Sequence, residues 1–330
     1  YFASQESKSV LLTGSSRMKE RPIKILVVAL KQLGAEIEYL ENDGFPPIKI
    51  TGQKLNSSRV SLPANVSSQY ISALLLIAPS LQNGLELELI GEITSASYIN
   101  MTLKLLQEIG VKTSFVGNLI IVKPKSQDPT PKTIIVESDW SSASYFYSII
   151  ALSKEGTKIE LSSFKENSLQ GDAVLATIYE QMGVETHFED GKIKLIKNAK
   201  PINQNLKLDL NCAPDIAQTI AVTAFGLGIS CELTGLQTLK IKETDRLEAL
   251  QNELLKLGAS ISITNDSLQM EPTNSINSNQ NIATYNDHRM AMAFAPLALK
   301  TNIYIENAEV VSKSYPNFWS DLIKVGFEIL

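Results

Sequence analysis

Several short stretches of this 330-residue chain put charged or hydroxyl side chains where an apolar-periodic helix begins. The densest is KETDR, residues 242–246, followed by Leu247, Leu250, Leu254 and Leu257 at helical spacing. Thr244 or a neighbour can cap that helix, Asp245 suits its positive first turn, and Arg246 lies at its start. Free backbone N–H groups at such a start already favour an anion. RMKERP (17–22) stands in the same relation to a helix expected over 23–33, and its arginines can grip a carboxylate or phosphate bidentately. Ser67, Ser68 and Gln69 open a helix over 70–78, and Ser95 to Tyr98 open one over 99–109. Asp139 and three serines open a third serine-rich helix, over 141–152. Hydroxyls beside free N–H groups form a phosphate seat. Asp215 sits between an alternating strand, 206–210, and an apolar helix, 216–227. A carboxylate there suits a general base or a helix-dipole partner. Asn286 to Arg289 open a helix over 290–299, where Arg289 adds an anion clamp beside Asp287 and His288. Lys313 lies between a strand, 302–305, and a helix, 319–323. Each stretch alone also reads as a solvated helix cap. Together, Arg17, Arg246, Arg289 and Lys313 with the serines suit two phosphorylated or carboxylated small molecules.

These groups ride on a repeat. A helix ends in an apolar residue, Gly and a small or apolar residue, and a strand is expected to follow. The glycines are Gly34, Gly110, Gly183, Gly258 and Gly326, spaced 76, 73, 75 and 68 residues apart. Each stands where a helix C-terminus wants a left-handed residue without a Cβ. Between copies lies a second helix rich in small residues, over 67–78, 141–152, 213–225 and 287–299. Each is apolar nearly all round and so expected to be buried. A period in the seventies exceeds that of most solenoids and suits a few large α/β units packed with pseudo-symmetry. The Pro- and Lys-rich stretch 123–132 marks a crossing between domains.

Composition narrows the partners. The hydrophobic fraction of 44% and charged fraction of 20% are those of an ordinary globular chain. A net charge of −5 without a basic block argues against nucleic acid. No 18-residue apolar run spans a membrane. Two cysteines, Cys212 and Cys231, are expected in a helical hairpin region; with two histidines they make no zinc site and fit a reducing compartment. No P-loop and no GxGxxG is present, which argues against nucleotide chemistry.

RMKERP, SSQ, DWSSASYF (139–146), Pro214-Asp215, KETDR and YNDHR (285–289) resemble, in order and spacing over essentially the whole chain, the 5-enolpyruvylshikimate-3-phosphate synthase family. The pairing of KETDR with YNDHR is absent from the sister UDP-N-acetylglucosamine enolpyruvyl transferases. The resemblance implies an α/β (α+β) fold of two pseudo-threefold domains, each of repeated α/β units with buried parallel helices, an inside-out α/β barrel. The expected domains are 1–135, incomplete at about one and a half units by the repeat length, and 136–330, with three units. The implied reaction adds the 5-hydroxyl of shikimate 3-phosphate to the enol carbon of phosphoenolpyruvate, then expels phosphate to give the enolpyruvyl ether. By motif match, Asp215 is the base at the 5-hydroxyl, Glu243 gives and retrieves the methylene proton, and Lys242 holds the 5-hydroxyl region. His288 and Lys313 are further candidates for proton work. Arg17, Gln69, Arg246, Arg289 and Lys313 are expected to bind phosphoenolpyruvate, and Ser67, Ser68, Ser95 and nearby Tyr98 the shikimate phosphate. No cofactor and no metal is expected, and the implied enzyme is a cytoplasmic monomer with no nucleic-acid or membrane partner.

The family also begins with a Lys-Ser pair and later carries an Asn-Ala-Gly-Thr loop, neither of which precedes Arg17. Five Gly-ended copies are seen where the family has six. The sequence reading therefore expects roughly 110 residues of repeat to be missing from the start. Two alternatives stand beside the enzyme: a non-catalytic remnant that only binds phosphorylated ligands, and a relative of the UDP-N-acetylglucosamine enzymes.

Overall fold

A computed structural model describes the chain apart from residues 7, 65–67, 94–95, 126–132 and 330. The chain divides into two compact units, Tyr1–Ile134 and Ile135–Leu330. Each has its own hydrophobic core, one built from residues between Ala3 and Val122 and the other from residues between Trp140 and Leu322.

In the first unit the strands Ser9–Leu12, Ile48–Thr51 and Glu36–Tyr39 form an antiparallel sheet with Ile48–Thr51 in the middle. A second sheet pairs Arg59–Pro63 parallel to Leu85–Ile90, which then meets the antiparallel hairpin Leu119–Val122 and Thr113–Val116. Leu85–Ile90 alternates Leu with Glu until its last residue, and its three leucines are the buried set. The helices Ser68–Ile77 and Ala96–Glu108 pack together. A hydroxyl contact of 2.9 Å joins Ser72 to Thr102 between them.

The second unit holds three sheets, of three, four and two strands. Its sheets are Lys158–Ser162, Lys192–Lys197 and Val184–Glu189; then Asn205–Asp209, Ser230–Thr234, Leu268–Met270 and Ile261–Ile263; then the parallel pair Gln280–Ile282 and Ile303–Ile305. Each set accompanies one inner helix: Trp140–Leu152, Ala217–Leu227, and His288–Phe294 continued by the 3-10 turn Ala295–Leu299. These three helices pack on one another. Their first residues meet: Arg289 reaches Ser141 and the Asp215 carbonyl, and Gln218 reaches Met290. Their last residues meet too, because a Cβ on Gly226 would stand 2.7 Å from Leu152 and 2.9 Å from Leu297. The three helices therefore run the same way, with three positive ends converging at one place. Of the 13 residues of Trp140–Leu152 only Ser142 escapes burial. Its inner hydroxyls are paired rather than stranded: Ser144 with Thr219 at 3.0 Å, and Ser148 with Thr223 at 2.7 Å.

The five expected left-handed glycines all have positive φ, between 81° and 101°. At Gly183 a side chain is excluded outright, since a Cβ would lie 2.1 Å from the Ala199 carbonyl oxygen. Three expectations fail. The cysteines do not sit in a helical hairpin: exposed Cys212 lies in a turn after Asn205–Asp209, and buried Cys231 is in the strand Ser230–Thr234. The apolar helix expected over 67–78 is not buried all round, because Leu76 is 61% exposed. No strand follows Gly326 among the described residues. Within Ser68–Ile77 only Ile71, Leu74 and Leu75 are buried, a one-sided stripe at helical spacing.

Candidate active site

At the converging helix starts of the second unit, Arg246 is the hub. Its helix, Arg246–Lys256, is capped by Asp245, whose carboxylate accepts the Glu248 N–H at 3.2 Å. The guanidinium is only 2% exposed. Its Nε donates to Asp287 Oδ2 at 2.7 Å, its Nη1 to Asp215 Oδ1 at 3.1 Å, and its Nη2 to Glu243 Oε2 at 2.7 Å and Asp287 Oδ1 at 3.4 Å. A planar fork is the side chain suited to holding three carboxylates at once. Asp287 is fully buried and also caps the helix His288–Phe294 through the Arg289 N–H. A buried carboxylate with those two partners is fixed in place.

Asp215 lies in the 3-10 turn Pro214–Ile216 that leads into Ala217–Leu227. Besides Arg246 it faces Lys242 at 3.4 Å and Arg289 at 3.3 Å. Burial works against its ionisation, but Arg289, Lys242 and Arg246 outweigh it and hold the carboxyl far below the usual carboxylate range. Arg289 also donates to the Asp215 carbonyl at 3.1 Å and to Ser141 Oγ at 3.3 Å.

The YNDHR turn is held in an unusual shape. Tyr285 and Asn286 both adopt left-handed backbone, φ 54° and 56°. Two such non-glycine residues cost about 1–3 kcal/mol each and persist only where the surroundings fix them. Buried Glu253 accepts the Tyr285 hydroxyl at 2.7 Å and the Ala283 N–H at 3.1 Å, and Lys313 donates to the Asn286 carbonyl at 2.7 Å. These bonds set where Asp287, His288 and Arg289 point. The His288 Nδ1 is buried with no hydrogen-bond partner among the described residues. Burial lowers the His288 pKa against the pull of Asp287, so the ring is neutral at pH 7.

Of the residues expected from sequence, Asp215, Lys242, Glu243, Arg246, His288, Arg289 and Lys313 thus all lie in the second unit. Hydrogen bonds and ion pairs join Asp215, Lys242, Glu243, Arg246 and Arg289 directly, and Lys313 ties to them through the YNDHR turn. In the first unit Arg17 lies in the short helix Ser16–Lys19 and pairs with Glu20 at 3.1 Å. Ser68 and Gln69 begin the helix Ser68–Ile77. The Tyr70 hydroxyl ties that start to the Pro22 carbonyl at 2.5 Å. Tyr98 lies in the first turn of Ala96–Glu108, its carbonyl accepting the Thr102 hydroxyl at 2.9 Å. Ser67 and Ser95 lie outside the described residues. The sequence reading missed Asp172, a buried carboxyl in the 3-10 turn Gly171–Val174 that accepts the Ser141 hydroxyl. It lies 31 residues from Ser141 in a stretch with no helix-start motif. Among the described residues no group of His, Cys, Asp and Glu could hold a metal ion, and no helix is long and apolar enough to cross a membrane.

Three inner helices start together around an arginine-bound carboxylate cluster, one beside an antiparallel sheet, one beside a mixed sheet and one beside a parallel pair. Solved structures of the enolpyruvyl-transferase class share this fold. An EPSP synthase from Acinetobacter baumannii matches with a TM-score of 0.76 at 24% identity, over 98% of this chain and 75% of that one. The enolpyruvyl transferase NikO from Streptomyces tendae matches with a TM-score of 0.70 at 14% identity, over 98% of this chain and 74% of that one. The sequence goes further than the fold. The family profile EPSP synthase (3-phosphoshikimate 1-carboxyvinyltransferase) matches residues 2–322. A 3-phosphoshikimate 1-carboxyvinyltransferase of Bacteroides fragilis is 48% identical over 96% of this chain and 78% of its own length. One from Pasteurella multocida is 39% identical over 96% of this chain and 71% of its own. The chain belongs to the EPSP synthase family.

Proposed function

We propose that this protein transfers the enolpyruvyl group of phosphoenolpyruvate to the 5-hydroxyl of shikimate 3-phosphate and releases phosphate. Family membership carries the reaction. The observation that fits it to this site is the Arg246 hub, which holds Asp215 and Glu243 on one guanidinium beside Lys242 and Arg289. Addition needs a base at the 5-hydroxyl and an acid at the methylene carbon; elimination returns the methylene proton and expels phosphate. We assign the base to Asp215 and the proton carrier to Glu243. A carboxylate gripped by three cations is a weak base. Anionic ligands that occupy Arg289 and Lys242 would offset those charges and raise the basicity of Asp215 where it is needed. Glu243 would turn from Arg246 toward the methylene group in the same exchange.

Arg246, Arg289 and Lys313 are assigned to phosphoenolpyruvate, as are Arg17 and Gln69 of the first unit. Ser68 and Tyr98, with Ser67 and Ser95, are assigned to the shikimate phosphate. We place His288 among the proton-transfer candidates. The contact division between Ile134 and Ile135 supports reading 136–330 as one domain of three units and 1–135 as another. The low cysteine usage, two in 330 residues, supports a reducing, cytoplasmic setting, and the proposed working form is a monomer. The test is phosphate release from the purified protein with both substrates. Release that needs both, with the enolpyruvyl ether formed in equal amount, is expected. Release from phosphoenolpyruvate alone would reject the assignment, and binding of both ligands without release would favour the non-catalytic remnant that only binds phosphorylated ligands.

A further inference from the structure

Asp172 is a buried carboxyl that the reaction above does not use. The Gln170 side chain clamps its turn to the start of the Trp140–Leu152 helix, accepting the Trp140 N–H at 2.9 Å and donating to the Ser138 carbonyl at 2.8 Å. The clamp brings Asp172 Oδ2 onto the Ser141 hydroxyl, which donates to it. A serine hydroxyl has one proton and two lone pairs. With its proton on Asp172, Ser141 presents lone pairs to Arg289, whose Nη2 donates at 3.3 Å. The same Nη2 stands 3.3 Å from Asp215 Oδ2 on its other side. Arg289 is thus shared between two carboxylates, Asp215 directly and Asp172 through one hydroxyl. The second oxygen of Asp172 is buried without a hydrogen-bond partner among the described residues. A carboxylate kept in that state is costly to charge, and its burial wants a reason.

Resting on the assignment of Arg289 to phosphoenolpyruvate, we propose that Asp172 is a positioning residue: through Ser141 it shares the Arg289 guanidinium with Asp215 and fixes its orientation for the ligand's anionic groups. Without that charge Arg289 falls to Asp215 alone, and an incoming anion must then pull it away. Burial raises the Asp172 pKa to about 6, opposed by the Ser141 hydrogen bond and Arg289 and reinforced by the charges of Asp215 and Asp139. The tether is therefore in place above pH 6 and released below it.

The experiment compares Asp172→Asn with the unmodified protein in steady-state kinetics. Asparagine keeps the acceptor for Ser141 and removes the charge. At pH 8 the KM for phosphoenolpyruvate should rise by about tenfold, the scale of one hydrogen bond to a charged group, with kcat changed by less than about twofold. The ratio of the two KM values should fall toward one as pH drops below 6, where Asp172 is neutral in both proteins. The ligand phosphate also titrates near pH 6, but it does so with either protein and cancels in the ratio. Ser141→Ala should give a similar KM, and the double variant no more than either alone. An unchanged KM, a ratio independent of pH, or additive effects would overturn the proposal and leave Asp172 a structural residue. A ligand-free measurement separates this from the proposed reaction. The Arg289 guanidinium nitrogen resonances should shift with a midpoint near pH 6 in the unmodified protein and not in Asp172→Asn. No such shift overturns the relay, whereas failure of phosphate release with the shift present counts against the reaction alone.

Discussion

Arg17 and Arg246 follow the same sequence logic, an arginine beside a helix start, yet they end in opposite surroundings. Arg17 is 59% exposed and pairs with Glu20 three residues on. Arg246 is shut in with Asp215, Glu243 and Asp287. An exposed pair of the first kind contributes about 0–1 kcal/mol and weakens with salt. In the second, Asp287 is desolvated together with Arg246, so removing one strands the other. The two units differ in the same way in their helices. The second surrounds Trp140–Leu152 and Ala217–Leu227 with core, whereas the first buries one stripe of Ser68–Ile77. On the proposed assignments, exposed Arg17 is a cation that a ligand would engage with little rearrangement, whereas the charge network of the second unit would be entered by exchange.

If the network is the chemical half of the site, its carboxylates should control turnover more than binding. Glu243→Gln keeps the shape and a donor-acceptor pair but removes proton transfer. Phosphate release should fall by about 10²–10⁴-fold, the usual range for a lost acid–base group, while calorimetry still detects both ligands. Asp215→Asn should behave likewise. Retention of more than about a tenth of the unmodified rate would remove Glu243 from the proton path.

Arg246→Ala is the next largest expected effect, and it falls on stability. Asp287 would remain buried with its main cation gone, and breaking a buried pair from one side costs about 3–5 kcal/mol. Both tryptophans of the chain, Trp140 and Trp319, belong to the second unit, so their fluorescence in a urea titration follows that unit alone. A midpoint unchanged from that of the unmodified protein would mean that the network is not holding the fold.

Gly226→Ala tests the other end of the inner helices. A methyl group there meets Leu152 and Leu297 from the two neighbouring helices. Overpacking of this kind costs about 1–3 kcal/mol. Leu76→Ser in the first unit is the contrast: the side chain faces solvent, and the change should stay within about 0.5 kcal/mol. Equal effects from the two substitutions would erase the difference in helix burial.

The split between what sequence reveals and what it hides follows the range of the interactions. Gly183 and its counterparts were legible because a left-handed helix end is a local demand on one residue. The motif residues were legible as a set because charges at helix starts are conspicuous, and the structure joins Asp215, Lys242, Glu243, Arg246 and Arg289. The pairing itself was not legible. Arg289 and Ser141 are 148 residues apart, and no periodicity connects them. Asp172 carries no motif at all, and its importance comes only from the Gln170 clamp and the hydroxyl it meets. Hydrophobicity misled at Leu76, where an all-apolar stretch was taken for an all-buried one. Cys231 was misplaced because its strand, Ser230–Thr234, is only five residues long, too short for alternation to separate it from the helix before it.

Arg17→Ala carries the smallest expected effect and bears most directly on the contrast between the two arginines. Its loss leaves no buried charge behind, since Glu20 is itself exposed. Unfolding free energy should change by no more than about 0.5 kcal/mol. Affinity for phosphoenolpyruvate should drop by only about a few-fold in low salt, and the drop should shrink as the Debye length contracts from roughly 30 Å at 0.01 M to roughly 8 Å at 0.15 M. The Arg246→Ala defect should not respond to salt in this way, because a buried pair is screened much less. Measuring both variants by urea titration and by calorimetry at the two ionic strengths separates a solvated cation from a network cation. A salt-insensitive loss at Arg17 would show that this arginine works in a desolvated setting once ligand is bound, and the contrast drawn between the two units would then describe only the ligand-free protein.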